Sequence, residues 1–312
     1  MKVLAVTNMY PTEAEPWFGC FVKDQMDGVR AAGVDVDVIS FDGRRDKREY
    51  FRAALEVRRR VEDGKFDVVH AHYGLTGGVA AVQRMTPVVT TIWGTDAGYV
   101  WWQGRVSWVV ARLTTPIFVS RHNAARLGLP HAPVIPSGID TTFFSPGDRS
   151  EARRELGLND VPHVLFPGNP DVRRKRFDLF KEACAIVGRS RQDLRMIALR
   201  GYSRDETRTL MNAADVVLMT SDWEGSPLAI KEALACGTPV VSVPVGDVAE
   251  VVDGLPACEI VDRDPQALAH AVSHTFARTV DRNSLRRRAE TYDQKLVATQ
   301  LISAYEAAAA NA

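Results

Sequence analysis

The segment that decides the fold is ADVVLMTSDWEGSPLAIKEALACGTPVVSV, residues Ala214 to Val243. Its first part, Asp215 to Thr220, is a short apolar run typical of a buried strand in a parallel sheet. Its last part, Thr238 to Val243, has the same character. A helical pattern lies between them, so the segment predicts a strand, a loop, a helix and a strand in succession. Ligands of such sheets bind at the carboxyl ends of the strands.

The loop and the helix carry the residues that matter for chemistry. Ser226 followed by Pro227 predicts an N-cap with proline at the first helical position, and Gly237 suits a left-handed residue at the helix C-terminus. Glu224 lies in the loop and Glu232 on the helix. Backbone N–H groups at a helix N-terminus favour an anion, and carboxylates favour hydroxyl groups, so the site suits a nucleotide diphosphate that carries a sugar. The alternative is an ordinary unit with one solvated loop acid and one helix-surface acid.

Within this segment, EGSPLAIKEALACGTPVV resembles the E-x7-E signature of the retaining GT-B glycosyltransferases of family 4. The resemblance extends over most of the chain. It implies that Glu232 binds the nucleotide ribose and that Glu224 binds the donor sugar. It further implies donor contacts from four consecutive residues, Gly225, Ser226, Pro227 and Leu228.

The resemblance implies an α/β fold, GT-B, of two Rossmann-like domains whose parallel sheets face each other across a cleft. Alternating strand and helix patterns agree with a parallel sheet in each half of the chain. We predict an acceptor-binding domain over residues 1–145 and a domain for the nucleotide-sugar donor over residues 146–289. The C-terminal helix, about residues 290–312, is expected to pack back on the first domain.

Composition excludes several other classes of protein. The 312 residues include 39 Lys plus Arg and 39 Asp plus Glu, so no global charge points to nucleic acid. No apolar run approaches the roughly 20 residues of a membrane span, and the N-terminus has a strand pattern instead of a signal peptide. The four cysteines lack metal-ligand spacing. We therefore expect reduced thiols and a cytoplasmic protein, with peripheral contact at the inner face of the membrane as an option.

A basic run in the second domain is a candidate phosphate site. Arg173, Arg174 and Lys175 come shortly before a predicted amphipathic helix, after a loop that contains Gly168. Cations at this junction are placed to neutralise a diphosphate. The family has a lysine at the position of Lys175, but its usual arginine is replaced here by Asn169, so Arg173 or Arg174 would supply that charge. A solvent-facing basic run is the alternative.

The first domain carries the candidates for the acceptor side. Its first loop resembles the family's glycine-bearing loop under the donor phosphates, which gives Gly19 a donor-binding role; a plain turn glycine is the alternative. His70 and His72 alternate along a strand, so both rings are expected on one side, with His72 at the strand's carboxyl end, facing the cleft. The family usually has His-Gly-x-Asp where this chain has Trp93 and Asp96. The missing histidine leaves His72 and Asp96 as candidates for acceptor binding or proton transfer.

Acidic pairs do not predict a metal site. Asp35 and Asp37 alternate with valines along a predicted strand, and Asp262 and Asp264 lie near a loop before a helix. The side chains of the first pair would both point to the same, non-core face of the strand, and the second pair is no better placed to hold a metal. We expect no metal and no cofactor.

Two other stretches have two interpretations each. Arg44 to Arg60 is a charged segment that is solvated or meets an anionic acceptor or membrane surface, and we favour solvation. Trp101, Trp102 and Trp108 line an acceptor groove or pack in the interior, and we favour packing.

Together these observations predict a retaining, metal-independent glycosyltransferase. It would move a sugar from a nucleotide-diphosphate sugar to a glycan, lipid-linked or small-molecule acceptor. A nucleotide-sugar 2-epimerase of the same fold is the first alternative, since it acts on the donor alone. A non-catalytic partner subunit is the second, because the usual histidine is absent at Trp93.

Overall fold

The computed structural model describes residues 1–311, which form two compact units. Unit 1 comprises Met1–Gly138 and the segment that begins at Gln294, and unit 2 comprises Ile139–Asp293. The second unit is therefore inserted in the sequence of the first. No helix within residues 1–311 has the length and apolar character needed to cross a membrane.

Unit 1 is built on a five-stranded parallel sheet. Its strands are β1 (Lys2–Thr7), β2 (Asp35–Ser40), β3 (Val68–His72), β4 (Val88–Ile92) and β5 (Thr115–Phe118). Its helices are α1 (Cys20–Ala31), α2 (Arg48–Asp63), α3 (Gly74–Ala80), α4 (Trp101–Leu113), α5 (Arg121–Arg126) and α13 (Gln294–Ala310). The spatial order β2-β1-β3-β4-β5 reverses between β1 and β3, which is where such sheets bind ligands.

Both faces of the unit 1 sheet are covered. Val3 and Ala5 of β1 belong to a core cluster with α1 and α13, whereas Leu4 and Val6 belong to a second cluster with α2 and α3. This alternation follows from the two-residue period of a strand. The sheet is therefore a buried central layer between two layers of helices.

Unit 2 repeats this architecture. Its strands are β6 (His163–Phe166), β7 (Arg195–Ala198), β8 (Val216–Met219), β9 (Val240–Ser242) and β10 (Glu259–Ile260), in the spatial order β10-β9-β8-β6-β7. Its helices are α6 (Arg149–Glu155), α7 (Phe177–Gly188), α8 (Arg204–Ala213), α9 (Leu228–Ala235), α10 (Val248–Val252), α11 (Pro265–Ala277) and α12 (Arg282–Glu290). The order reverses between β6 and β8, so a ligand is expected at their carboxyl ends.

The strand, loop, helix and strand predicted from residues 214–243 are present as β8, α9 and β9. Gly237 has φ 73° and ends α9 in a Schellman motif, in which the N–H of Thr238 donates to the carbonyl oxygen of Ala233 at 2.8 Å. The predicted N-cap is wrong. Pro227 takes the cap position in an extended conformation, because the hydroxyl of Ser226 is engaged elsewhere, as described below.

The structure of unit 1 tests the expectations for the charged segment Arg44 to Arg60 and for the tryptophans of α4. α2 is one helix, and its arginines Arg52, Arg58 and Arg59 pair with acids of the same helix. This is the pattern of a solvated, charged helix.

The interior packing predicted for the three tryptophans of α4 is wrong, because all of them are exposed at the surface.

Candidate functional site

The loops after β6 and β8 bring the candidate donor residues of unit 2 together. Gly168 follows β6, and Glu224 lies in the loop between β8 and α9. Arg173 to Lys175 form a short 3-10 turn before α7. These loops lie where the strand order of the sheet reverses, which is the position at which such sheets bind ligands.

Glu224 is a buried carboxylate in contact with two partly exposed cations. Its Oε1 accepts hydrogen bonds from Lys175 Nζ at 2.6 Å and from Ser221 Oγ at 2.9 Å, and Arg174 Nη1 lies 3.0 Å away. Burial alone would raise the pKa of Glu224, but the charges of Lys175 and Arg174 outweigh it and hold the pKa below its ordinary value. The carboxylate is therefore ionised at neutral pH, with two cations directed at one of its oxygens.

The cationic turn is fixed to the end of β8. Thr220 Oγ1 donates to the carbonyl oxygens of Lys175 and Arg176, each at 2.9 Å. Arg174 lies over the ring of Trp223 at 4.5 Å and donates to its carbonyl oxygen at 3.2 Å. A side chain at Gly168 would contact the stem of Lys175 at 3.3 Å. Lys175 therefore runs close over the loop after β6.

The other predicted donor residues have different positions. Arg173 is exposed, and Glu232 is half-buried on α9. The loop from Gly225 to Leu228 leads directly into the N-terminus of α9. Gly246 packs against this loop, since a Cβ at Gly246 would lie 2.5 Å from the carbonyl oxygen of Gly225. Glu224 and Lys175 are thus in direct contact, whereas Glu232 belongs to the adjoining helix.

Sequence reasoning missed a second buried ion pair, directly behind this loop. Lys231 of α9 is fully buried, and its Nζ lies 2.9 Å from Asp247 Oδ2 and 2.5 Å from Ser226 Oγ. Ser226 Oγ also donates to Asp247 Oδ2 at 2.6 Å. Burial lowers the pKa of Lys231, although the charge of Asp247 opposes this effect. In the sequence, this ion pair is indicated by a lysine within an otherwise apolar helix face. The hydrogen bonds connect the loop between β8 and α9, called the donor loop below, to the turn after β9.

Asp96 of unit 1 is held by backbone groups. Its Oδ1 accepts from the N–H groups of Trp93 at 3.1 Å and Gly94 at 2.8 Å, and its Oδ2 accepts from the N–H of Gly74 at 3.0 Å. Burial raises the pKa of Asp96 to about 6, although these backbone donors oppose the rise. The contacts join the loop after β4 to the turn after β3. Asp96 therefore holds these two segments in position, and both of its carboxylate oxygens are already hydrogen-bonded to backbone N–H groups.

His70 and His72 lie side by side, with ring centroids 4.0 Å apart. His72 is fully buried, stacks on Trp93 at 6.1 Å, and has no hydrogen-bond partner for either ring nitrogen among the residues that the structure describes. Burial lowers the pKa of His72 well below its ordinary value, with a smaller contribution from His70. The ring is therefore neutral and, in this conformation, has no surface open to an acceptor.

The remaining candidates form turns and surface pairs. A Cβ at Gly19, where φ is 73°, would lie 2.3 Å from the backbone of Met9, so only glycine fits there. Asp37 lies 3.6 Å from Lys2, and Asp264 caps α11 through backbone N–H groups. Within residues 1–311 there is no group of three His, Cys, Asp or Glu side chains that could hold a metal ion.

Two family models match the chain, one in each half. "Glycosyltransferase Family 4" matches residues 20–143, and "Glycosyl transferases group 1" matches residues 161–278. A D-inositol 3-phosphate glycosyltransferase of Mycolicibacterium gilvum is 29% identical over 69% of this chain. The chain spans only 60% of the length of that relative.

Solved structures agree with the fold of the whole chain. Sucrose-phosphate synthase from Thermosynechococcus elongatus matches with a TM-score of 0.79 at 19% identity and covers 100% of both chains. Anabaena Alr3699/HepE, solved with UDP and glucose, matches with a TM-score of 0.74 at 17% identity, over 98% of this chain and 99% of that one. At these identities the likeness shows the fold, an α/β fold of the GT-B class.

Proposed function

Because the chain belongs to the family 4 glycosyltransferases, we propose that it is a retaining glycosyltransferase that uses a nucleotide-diphosphate sugar as donor. The acceptor would be a glycan, a lipid-linked sugar or a small molecule. The observation that carries this proposal is the cluster of the buried Glu224 with the partly exposed Lys175 and Arg174, at the carboxyl ends of β6 and β8. Parallel sheets of this kind generally bind ligands at this edge, and the cluster offers charges for both ends of a nucleotide sugar.

The cationic turn would stabilise the leaving diphosphate. Arg173, Arg174 and Lys175 bring three positive charges to one loop, and within residues 1–311 Glu224 is the one carboxylate that contacts them directly. The surplus charge is available to the diphosphate as the glycosidic bond breaks. We propose that these side chains and the N-terminus of α9 take the part that a divalent metal takes in other transferases.

The two glutamates would hold the sugar and the ribose. Glu224 is ionised and accepts hydrogen bonds, so it suits the donor sugar's hydroxyl groups, and Glu232 on α9 suits the ribose. We propose front-face transfer, in which the acceptor hydroxyl attacks on the side of the leaving diphosphate. This course accounts for retention without a covalent sugar intermediate on the protein.

Unit 1 would bind the acceptor. Asp96 acts there as a positioning residue through its three backbone contacts. His72 stays the candidate for contact with acceptor, and such contact requires a movement that uncovers its ring.

A thermal-shift panel of UDP-, GDP-, ADP- and CMP-sugars, each with EDTA and with Mg²⁺, tests the donor site. A ligand at 100 times its Kd adds about 2.7 kcal/mol to stability, which moves the unfolding midpoint by several degrees. We expect one nucleotide class to stabilise the protein, with EDTA making no difference. Lys175→Ala should lower kcat by about 10² to 10³, whereas Lys181→Ala, on the exposed side of α7, should not.

Product analysis separates the proposal from its rivals. Transfer to an acceptor with the donor's anomeric configuration retained, measured by NMR, supports it, and D-inositol 3-phosphate is one acceptor to include. Turnover of donor without any acceptor would indicate an epimerase. Stabilisation by no nucleotide sugar would contradict the donor site itself.

A further inference from the structure

Helix α4 exposes its large apolar side chains and buries its small ones. Trp101 is 74% exposed, Trp102 44% and Trp108 45%, and Leu113 is 68% exposed. The buried positions of the same helix are Gly104, Ser107, Val110 and Ala111. A surface helix of a soluble protein normally has the opposite arrangement. The exposed face is therefore not explained by folding of unit 1.

Close packing against the neighbouring helix explains why the small residues face inward. A Cβ at Gly74 of α3 would overlap Ser107, and one at Gly77 would lie 2.5 Å from Val110. Gly104 is in similarly close contact with the backbone of Gly98. The space between α3 and α4 admits no large side chain, so the tryptophans lie outward.

The exposed face of α4 is also positively charged. Trp101, Arg105, Trp108 and Arg112 follow the spacing i, i+4, i+7 and i+11, which places them on one side of the helix. The guanidinium of Arg112 lies 3.4 Å from the Trp108 ring centroid. The sequence of α4 contains no Asp or Glu, in contrast to α2, whose arginines are paired with acids. Positive charge on this face is therefore not neutralised within the helix.

We propose that α4 docks unit 1 on the surface of a membrane that contains anionic lipids. Tryptophan rings favour the boundary between headgroups and acyl chains, and arginines beside them favour lipid phosphates. The helix has 13 residues and is about 20 Å long, so it lies in the interface and does not span the bilayer. A second copy of the chain fits this face less well, because a two-fold contact would place the arginines of both copies together.

Vesicle flotation tests this docking surface. The full chain is mixed with phosphatidylcholine vesicles, with and without about one third phosphatidylglycerol. We expect flotation with the anionic vesicles only, reduced by salt because screening weakens the attraction. Trp101→Ser with Trp108→Ser should weaken binding by about tenfold or more. Arg105→Gln should weaken it about fivefold.

Trp17 supplies the matched control, since it is 71% exposed but lies in a loop outside α4. Trp17→Ser should float like the wild type. All variants should keep the wild-type circular dichroism and the donor-induced thermal shift, because the replaced side chains already face solvent. A loss of vesicle binding can then be distinguished from a failure of the proposed donor site.

Three outcomes would overturn the inference. The wild type could fail to float with anionic vesicles, or the double tryptophan variant could float as well as the wild type. Sedimentation equilibrium could also show a dimer that the tryptophan variant dissociates, which would assign the face to a second copy.

Discussion

Lys231 is the residue on which the donor loop of unit 2 depends. Its ammonium group has no exposed surface and is balanced by Asp247, while Ser226 bonds to both. A buried charge is tolerated only when it is paired and hydrogen-bonded, so these three side chains act as a unit. The loop that carries Glu224 is thereby held at a fixed distance from α9.

Lys231→Met should destabilise the protein by about 3–5 kcal/mol, because it leaves the carboxylate of Asp247 buried without its cation. Urea denaturation measures the loss. Lys23→Met removes the exposed ion pair with Asp27 on α1 and should cost less than about 1 kcal/mol. In variants that still fold, the KM for donor should rise more than kcat falls. Equal urea midpoints for Lys231→Met and the wild type would show that the pair carries no net stability.

The buried histidines His70 and His72 should make the folded protein less stable in mild acid. The pKa values of His72 and His70 are lowered in the folded state, that of His70 to about 3, so below pH 6.5 the unfolded chain binds protons that the folded chain does not. Each histidine then costs up to about 2 kcal/mol at pH 5. The raised pKa of Asp96 acts in the opposite direction below pH 6 but offsets only part of the loss.

The variant His72→Leu should be more stable than the wild type at pH 5, and the advantage should shrink toward pH 7. It removes a buried ring whose nitrogens have no partner among the described residues. The exposed His131 gives the control, because His131→Leu makes the same replacement at a ring that is not buried. Midpoints of thermal unfolding between pH 5 and pH 7 provide the comparison. A constant difference across this range would contradict a depressed pKa at His72.

Residue types and spacing indicated Glu224 and Lys175 from the sequence, and the structure brings them into contact. The partners of Lys231 and Asp96 were not predictable in the same way. Asp247 is 16 residues from Lys231, and Gly74 is 22 residues from Asp96. Such contacts depend on the order of strands in a sheet, which local sequence patterns do not encode.

At the scale of elements, α13 makes a buried polar contact with the sheet of unit 1 within an apolar core. The hydroxyl of Tyr305 lies 2.7 Å from His70 Nδ1, and His70 Nε2 lies 2.8 Å from Thr91 Oγ1. With the proton on Nε2, the histidine accepts from Tyr305 and donates to Thr91. The C-terminal helix, β3 and β4 are therefore joined by a chain of buried hydrogen bonds.

Tyr305→Phe should lower stability by about 1–3 kcal/mol, since it leaves a buried histidine nitrogen unpaired while the volume of the ring is kept. Equilibrium unfolding in urea measures the change. Tyr202 of unit 2 is 43% exposed, so Tyr202→Phe should be within about 0.5 kcal/mol of the wild type. An equal effect of the two substitutions would mean that the hydrogen bond between Tyr305 and His70 contributes no net stability.

Strands and helices were largely predictable because their apolar periodicity is strong, as the match of β1 and α9 with the patterns shows. The helix cap at Ser226 was not, because the tertiary network with Asp247 outweighs the local capping preference. The outward direction of Trp101 was equally hidden. Composition alone favours burial of tryptophan, and only the close approach of α3 and α4 excludes it from the interior.

At the scale of the whole molecule, the two units repeat one topology with the same reversal of strand order. Alternation of strands and helices predicted a parallel sheet in each half, and the family resemblance supplied the pairing of two such domains. The identity of the acceptor follows from neither, because topology does not specify which loop side chains contact a ligand. Transfer assays with chemically defined acceptors are needed at this scale.

The first and last residues of unit 2 lie next to each other, so this unit is a self-contained insertion in the chain. The N–H of Ile139 donates to the carbonyl oxygen of Tyr292 at 3.0 Å, and Thr141 Oγ1 bonds to Asp293. Residues 139–293 expressed alone should therefore fold and show the same donor-induced thermal shift as the full chain. A Cβ at Gly138 would lie 3.0 Å from the Cα of Gln294. A short glycine linker between these two residues should thus close unit 1 into a second, separately expressible protein.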